Sequence, residues 1–352
     1  AMEIIHNEES LNQYINSIIS TFGKNPILID RFLSDAIEVD VDVIADKNLS
    51  IVAGIMEHIE EAGVHSGDSA CTIPPHSLPA HTIKEIEKQS NTLAKALKVV
   101  GLMNIQFAIK DIETDNPKIY ILEVNPRASR TVPFVAKATG NQFAGIAARI
   151  MAGEKLSSFK ILPWYKTNKI SVKEAVFPFG RFPGVDTLLG PEMKSTGEAM
   201  GLAQNFGQAF AKSQMAVGSK LPKSGTLFIS VKDSDKIKIL PICKKLLKLG
   251  FDIIATKGTS KYLEINNIKV TKINKVSEGR PHLVDAIKDG LVNIIFNTTE
   301  GEQSIKESFS LRRAALSANI PYYTTLAGSK AATEAIISLN KDELTVKSIQ
   351  SY

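Results

Sequence analysis

The sequence predicts an α/β and α+β multidomain protein whose last part is a doubly wound parallel sheet. Three observations carry this reading. The 352 residues are too many for one ordinary compact core and comfortable as two or three domains. The composition, 43% hydrophobic and 22% charged, is that of a globular protein. From Gly225 onward, short apolar runs alternate with helical spacings, the mark of an open parallel sheet.

Residues 1 to about 153 mix strands and helices. Asn25 to Leu33 and Ala36 to Ala45 read as strands, the second alternating acidic and apolar residues from Glu38 to Val43. Leu49 to Met56 is a third strand, followed by a polar, glycine-containing stretch from Glu60 to Ser69. Pro79 to Val100 sets Ile83, Ile86, Leu93 and Leu97 at helical spacing. Gly101 to Lys110 and Lys118 to Asn125 pair as a hairpin around the turn-rich Thr114-Asp-Asn-Pro. In residues 154–222 the prolines at 163, 178, 183 and 191 break the pattern, and the stretch reads as a connector with one helix, Ala199 to Met215. The expected order beyond it is strand 226–231, helix 236–249, strand 251–255, a helix or turn, strand 268–273, helix 282–289, strand 291–296, helix 302–318, strand 321–325 and helix 329–339. Residues 341–352 form a peripheral tail. The division is thus 1–153, 154–222, 223–340 and 341–352.

No apolar run approaches the roughly 20 residues a membrane-spanning helix needs, and Arg149 interrupts the most apolar helical stretch, Phe143 to Gly153. No basic-then-apolar leader is visible. The two cysteines, Cys71 and Cys243, lie far apart without metal-ligand spacing. A disulfide framework, a zinc site and a membrane partner are not expected, and a reducing cytoplasm is. The net charge is +5, yet from Lys223 onward 20 Lys and Arg stand against 13 Asp and Glu, a surplus of 7. That surplus suits an anionic ligand, or it is a solvated lysine-rich surface. Nucleic-acid binding calls for clustered basic residues with interleaved aromatics, which the sequence lacks.

The richest stretch runs from Ile119 to Thr131. Glu123 and Asn125 are two apart on a strand, so both side chains leave the same face. The hairpin would set Gln106 opposite them. A carboxylate and two carboxamide oxygens make a hard oxygen site suited to Mg²⁺ or Mn²⁺ bridging nucleotide phosphates. Arg127 and Arg130 follow within reach of an anion. The plain alternative is a capped strand end with surface arginines.

The run Glu123-Val-Asn-Pro-Arg-Ala-Ser-Arg-Thr-Val-Pro-Phe-Val-Ala-Lys-Ala-Thr-Gly resembles the metal-binding signature of carbamoyl phosphate synthetase large subunits, an ATP-grasp family. So does Gly54-Ile-Met-Glu-His-Ile-Glu-Glu-Ala-Gly-Val-His-Ser-Gly-Asp-Ser-Ala. The resemblance continues through Phe182-Pro-Gly-Val-Asp-Thr-Leu-Leu-Gly-Pro-Glu-Met-Lys-Ser-Thr-Gly-Glu and covers nearly the whole chain. It implies the C-terminal part of the second, carbamate-phosphorylating ATP-grasp unit, followed by a methylglyoxal-synthase-like regulatory domain. Gln106, Glu123 and Asn125 match the metal ligands, and Gln106 and Glu123 also the ATP contacts. Arg31 and Leu33 lie on the expected adenine-binding hinge, and Glu38 matches the ribose ligand. Gly63, Val64, His65 and Ser66 match the loop beside the nucleotide. Arg127 and Arg130 match the catalytic arginines.

In the last part, Ala255-Thr-Lys-Gly-Thr follows a strand, where hydroxyls and backbone N–H groups can cradle a phosphate. Asn297-Thr-Thr ends another strand on the edge where ligands of open sheets bind. Each alone is also ordinary loop chemistry. The resemblance matches Lys236, Thr256, Thr259, Lys275, Asn297 and Thr299 to the nucleotide-effector positions. Glu302 and Gln303 stand where better-known bacterial enzymes carry arginines. Glu60, Asp68, Glu174, Tyr322 and Thr324 match an ornithine site, with Phe177 replacing a leucine and Tyr323 an aspartate.

The implied activity is ATP-dependent phosphorylation of carbamate to carbamoyl phosphate, for pyrimidine and arginine biosynthesis. The implied cofactors are ATP with Mg²⁺ or Mn²⁺, and the implied partner is a small glutaminase subunit. Nucleotide or ornithine effectors and a homo-oligomer formed through the regulatory domain belong to the same expectation. Because the sequence opens in mid-fold, the chain alone is expected to be inactive. Two other readings stay open: a ligand-sensing module only, and another ATP-grasp carboxylase or ligase.

Overall fold

The computed structural model describes all residues except Ala1, Lys24, Asp115, Pro183 and Tyr352, and leaves the side chains of Ser20, Thr21, Phe22 and Glu302 undescribed. The chain opens with helix α1 (Glu8–Phe22), whose first turn is capped by Asn7 Oδ1 accepting from the Ser10 amide at 2.8 Å. Seven strands form the first sheet: β1 (Ile37–Ala45), β2 (Ser50–Glu61), β3 (Cys71–Ile73), β4 (Gly101–Lys110), β5 (Lys118–Asn125), β6 (Ile170–Val176) and β7 (Gly197–Ala203). Their order across the sheet is β5-β4-β1-β2-β3-β6-β7, every pair antiparallel.

The helices α2 (Ala80–Ala96), α3 (Val132–Thr139) and α4 (Phe143–Met151) supply the apolar cover. Strand alternation explains the core: Val39, Val41 and Val43 leave one face of β1 and pack with Ile105, Phe107, Ile86 and Phe143. The opposite face carries Glu38, Asp40 and Asp42, and it too is shut off from solvent. Three carboxylates on a buried face need partners, and they become the organising feature of the site.

The second sheet is parallel throughout, in the order β10-β9-β8-β11-β12. It comprises β8 (Gly225–Ser230), β9 (Phe251–Ala255), β10 (Thr271–Lys272), β11 (Ile294–Asn297) and β12 (Tyr322–Tyr323). Helix α5 (Phe206–Ala216) leads into it, and α6 (Lys236–Lys248), α7 (Lys257–Ile265), α8 (Leu283–Lys288), α9 (Gly301–Glu307), α10 (Phe309–Ser317) and α11 (Leu326–Lys341) surround it. The first strand β8 sits in the middle, with the chain winding outward on both sides. The resulting switch point lies between β8 and its neighbours, where open sheets bind ligands.

Several expectations change. Asn25–Leu33 is not a strand: it joins neither sheet among the described residues, and Leu28 and Ile29 are exposed. The connector holds two strands, β6 and β7, which extend the first sheet. The helix expected from Ala199 begins at Phe206, capped by Asn205 Oδ1 accepting from the Gln208 amide at 2.9 Å. A side chain at Gly201 would lie 2.5 Å from the Ser213 nitrogen, so glycine there lets β7 lie directly against α5. The strand over 268–273 shortens to Thr271–Lys272, and the helix over 302–318 divides at Ser308.

The boundary between the two sheets is not a gap. One apolar cluster runs from Ile59, Ala70, Val172 and Phe210 into Leu227, Ile229, Ala332 and Ile336. Helix α5 crosses α11 at Gly207, where a Cβ would lie 2.5 Å from the Glu334 carbonyl oxygen.

Candidate active site and the second-sheet cleft

Register builds the first site. Across neighbouring strands, partners in an antiparallel ladder point to the same face. Asp40 pairs with Gln106 and Gln106 with Glu123. On the next rung of that face, Asp42 pairs with Asn104 and Asn104 with Asn125. Two parallel rows of oxygen- and amide-bearing side chains thus cross β1, β4 and β5, deeply buried at β1 and opening to solvent at Glu123. The amides settle their own orientation. Gln106 Nε2 donates to Ser66 Oγ at 3.0 Å, and Asn125 Nδ2 donates to Glu123 Oε1 at 2.7 Å.

Asp42 anchors the segment after β5. It accepts from Asn104 Nδ2 at 3.0 Å, Ser129 Oγ at 2.8 Å and Thr131 Oγ1 at 2.8 Å. Burial pushes its carboxyl up to about 6 despite these three donors. The two hydroxyls tie the 125–131 segment to Asp42, and Arg127 and Arg130 on that segment are exposed. Arg127 Nη1 donates to the Ala128 carbonyl at 3.3 Å, and the Arg130 guanidinium rests on the Met193 sulfur.

Behind this row sits His58, with Nε2 at 3.1 Å from Asp40 Oδ2 and Nδ1 at 3.8 Å from Glu38 Oε1. Burial alone would lower its pKa; the Asp40 hydrogen bond and the charges of Glu38 and Asp40 outweigh it and hold the imidazole above its usual range. Glu38 moves the same way, raised by burial more than the His58 charge lowers it, with the Gly63 backbone beside it.

The loop residues converge there. Gly63 has φ +107° and lies against the Phe32 ring, which brings Arg31 and Leu33 next to the loop. Arg31 is exposed, whereas Leu33 packs on Ala36, Ala62 and Ala108. Val64 bridges Ala62. His65 Nδ1 accepts from the Gly67 amide at 3.0 Å, and burial lowers the pKa of the ring, so it is a neutral acceptor at that nitrogen. Asp40, Asp42, His58, Asn104, Ser129 and Thr131 were not singled out as functional from sequence. The i, i+2, i+4 carboxylates of β1 were the available signal.

The second site lies at the carboxyl edge of β8, β9 and β11. A cavity of about 540 Å³ there is lined by Lys236, Thr256, Thr259, Lys275, Asn297 and Thr299, all six of the expected effector positions. Its cations are already engaged: Lys236 Nζ is 2.6 Å from Asp233 Oδ1, and Lys275 Nζ is 3.4 Å from Glu307 Oε2. Thr259 Oγ1 accepts from the Val231 amide at 3.3 Å, and Thr256 Oγ1 meets Ser230 Oγ at 3.0 Å. The side chain of Glu302 lies outside the described residues.

Of the residues matched to an ornithine site, Glu60, Asp68, Glu174 and Tyr322 are each bonded within the fold. Glu60 and Glu174 are neighbours, the first half-buried and the second buried, and burial raises them to about 7 and about 8. The Tyr322 hydroxyl accepts from Asn297 Nδ2 at 2.5 Å, on the cleft side. Successive residues of a strand face opposite ways, so Tyr323 takes the inner position and donates to Gln214 Oε1 at 3.1 Å. Gln214 Nε2 in turn donates to Glu174 Oε2 at 2.5 Å. Asp68 spends both oxygens on the amides of Lys194 and Ser195, at 2.8 and 2.9 Å, and Thr324 is half-buried after β12.

Comparison with known proteins gives this geometry a family. Residues 1–159 match the model of the carbamoyl-phosphate synthase L chain, ATP binding domain, and residues 238–324 that of the MGS-like domain. The carbamoyl phosphate synthase large chain of Mesorhizobium japonicum is 53% identical over all of this chain and 32% of that protein. That of Methanobrevibacter smithii is 50% identical over all of this chain and 33% of its own length. The chain therefore spans about a third of the relatives it matches. Among solved structures, the biotin carboxylase domain of Hydrogenobacter thermophilus 2-oxoglutarate carboxylase, in complex with MgADP, ADP and bicarbonate, aligns with a TM-score of 0.47 at 17% identity, over 61% of this chain and 52% of that one. No helix among the described residues is long and apolar enough to cross a membrane. From end to end the chain belongs to the carbamoyl phosphate synthase large-chain family, carrying its ATP-binding domain over residues 1–159 and an MGS-like domain over residues 238–324.

Proposed function

We propose that this chain contributes the metal-and-phosphate end of an ATP-dependent carbon–nitrogen ligase, and beside it a cleft for a phosphorylated effector. In the reaction a carbamate oxygen attacks the γ-phosphorus of ATP, the bond to the β–γ bridging oxygen breaks, and carbamoyl phosphate and ADP leave. The observation that carries this reading is the rung Glu123–Gln106–Asp40 with Asn125 beside it.

The donor set fits Mg²⁺ or Mn²⁺. The amide nitrogens of Gln106 and Asn125 are both occupied as donors, so these side chains offer a cation oxygens, as Glu123 does. Gln106, Glu123 and Asn125 would hold the metal, which when bound neutralises phosphate charge. Arg127 and Arg130 would hold phosphoryl oxygens through their guanidinium groups. Glu38 would accept hydroxyl hydrogen bonds from the ribose, and Gly63 to Ser66 would flank the nucleotide with His65 neutral. Arg31 and Leu33 would lie alongside the adenine. Ammonia would come from a small glutaminase subunit, and the pathway context would be pyrimidine and arginine biosynthesis in the cytoplasm. The division 1–153, 154–222, 223–340 and 341–352 is kept as a functional partition, although β6 and β7 join the first sheet.

Equilibrium titration of the full-length large chain with ATP, with and without Mg²⁺, tests the first site. The reading requires tighter binding with Mg²⁺ and loss of that gain in Glu123→Gln. Metal-independent binding in both proteins sinks it. For the cleft, UMP titrated into the chain should bind competitively with inorganic phosphate, and Lys236→Ala should weaken it; no heat at millimolar UMP removes the effector reading.

A further inference from the structure

Between the two sites runs a loop that belongs to neither. Residues 185–196 form the last part of the connection from β6 to β7, and their polar groups are tied on both sides. On one side Asp186 is held by Arg312, Nε to Oδ1 at 2.6 Å and Nη2 to Oδ2 at 2.5 Å. Arg312 is 2% exposed, the largest of the fully enclosed side chains. The same guanidinium donates to the Ile305 carbonyl of α9 at 3.1 Å, and Arg313 Nη1 donates to the Val185 carbonyl at 3.1 Å.

On the other side the loop holds residues 63–68. The Gly190 carbonyl accepts from the His65 amide at 2.8 Å. The amides of Lys194 and Ser195 donate to the Asp68 carboxylate, and Ser195 Oγ donates to the Gly67 carbonyl at 3.1 Å. The loop is braced internally by the Leu188 amide on Asp186 Oδ1 at 3.0 Å and by Lys194 Nζ on the Leu188 carbonyl at 2.6 Å.

Each end meets a site. Ser66 is the acceptor that orients Gln106. Ser304, Glu307, Ser308 and Leu311 form the α9–α10 wall of the cleft, and Arg312 follows directly. From the cleft floor Asn297 reaches Tyr322, whose hydroxyl lies beside Arg312. We propose that the Arg312–Asp186 pair fastens the α9–α10 wall of the cleft to the 63–68 loop, so that a shift of one is felt by the other.

The physical reason is the lack of slack. A buried guanidinium with a two-point carboxylate partner has one geometry, and breaking it strands a charge away from water. Coupling of this kind is reciprocal. As a channel between effector and nucleotide it rests on the function proposed above, but the fastener itself is made of this chain's own bonds and is tested without ligand.

The experiment is hydrogen exchange on the full chain, wild type against Asp186→Asn, which keeps the shape and loses the charge and one acceptor. Amides of residues 63–70 should exchange about 5-fold faster or more, with β8 and β9 unchanged. Equal exchange at 63–70 overturns the fastener. A second arm adds UMP as the probe: in wild type it should protect both the cleft and residues 63–70, and in the variant only the cleft. Protection of 63–70 that survives in the variant also overturns it. Failure of UMP to protect the wild-type cleft counts against the effector reading, while the ligand-free comparison still decides the fastener. Should Asp186→Asn not unfold cooperatively, Arg312→Lys gives the same comparison with the charge retained.

Discussion

Gln106 is the register partner of Asp40 on one side and of Glu123 on the other, so one rung of the sheet runs from a buried carboxylate to an exposed one through a carboxamide. The Glu123 end is the solvent-exposed end, where a charge costs little to keep and a ligand can arrive.

Replacing Glu123 by Gln removes one formal charge from that end. Its side chain is exposed, so the fold should persist. In the full-length large chain we expect carbamoyl phosphate formation to fall at least about 100-fold, by analogy with removing one preorganised electrostatic contact. Steady-state turnover beside a thermal melt checks this. Near-normal turnover would make Glu123 a strand-end residue and nothing more.

Glu174 carries a pH dependence. Burial raises it first, and the Glu60 charge adds to that, giving about 8 against a reference of 4.5. The folded state therefore holds a proton that the unfolded state has lost. Its contribution to stability is complete below pH 4.5 and declines as pH rises through about 8. Glu174→Gln keeps an acceptor for Gln214 and removes the charge. The variant should melt higher than wild type at pH 8.5, by about 2–4 °C per kcal/mol recovered, and should show a flatter melting profile from pH 5 to 8. Parallel profiles would place the titration elsewhere.

Gly207→Ala tests the α5–α11 crossing. The added Cβ would lie 2.5 Å from the backbone oxygen of Glu334, which cannot swing aside as a side chain would. We expect about 1–3 kcal/mol of destabilisation, read by urea denaturation. An unchanged midpoint would mean that the two helices separate freely.

Glu307 offsets the charge of Lys275 in the cleft, at 3.4 Å, with both side chains partly exposed. Glu307→Gln should tighten UMP binding by about 2- to 5-fold, the range of such exposed pairs. The gain should shrink between low and high salt as screening takes over. A gain that persists at high salt would point to a packing effect.

The sequence by itself determined the strand–helix alternation of the last domain, the β4–β5 hairpin and the side chains at its end. These depend on local periodicity and turn residues, which act over a few positions. Of the six cleft-lining positions proposed for an effector, Thr256, Thr259, Asn297 and Thr299 lie in strand-end motifs legible in the text, whereas Lys236 and Lys275 carry no such local signature and are matched only through the family resemblance. Only the tertiary structure decided which partners the buried groups take. Asp42 finds Ser129 and Thr131 from 87 and 89 residues away, and Arg312 finds Asp186 from 126. Asn25–Leu33 has strand-like residues, but a strand requires a ladder, and the segment joins neither sheet among the described residues. Tyr322 and Tyr323 are alike as text, and the pleat of β12 sends one to the cleft and the other toward Gln214. Hydrogen bonds between distant groups are fixed by how the sheets and helices stack, and a single sequence does not record that stacking.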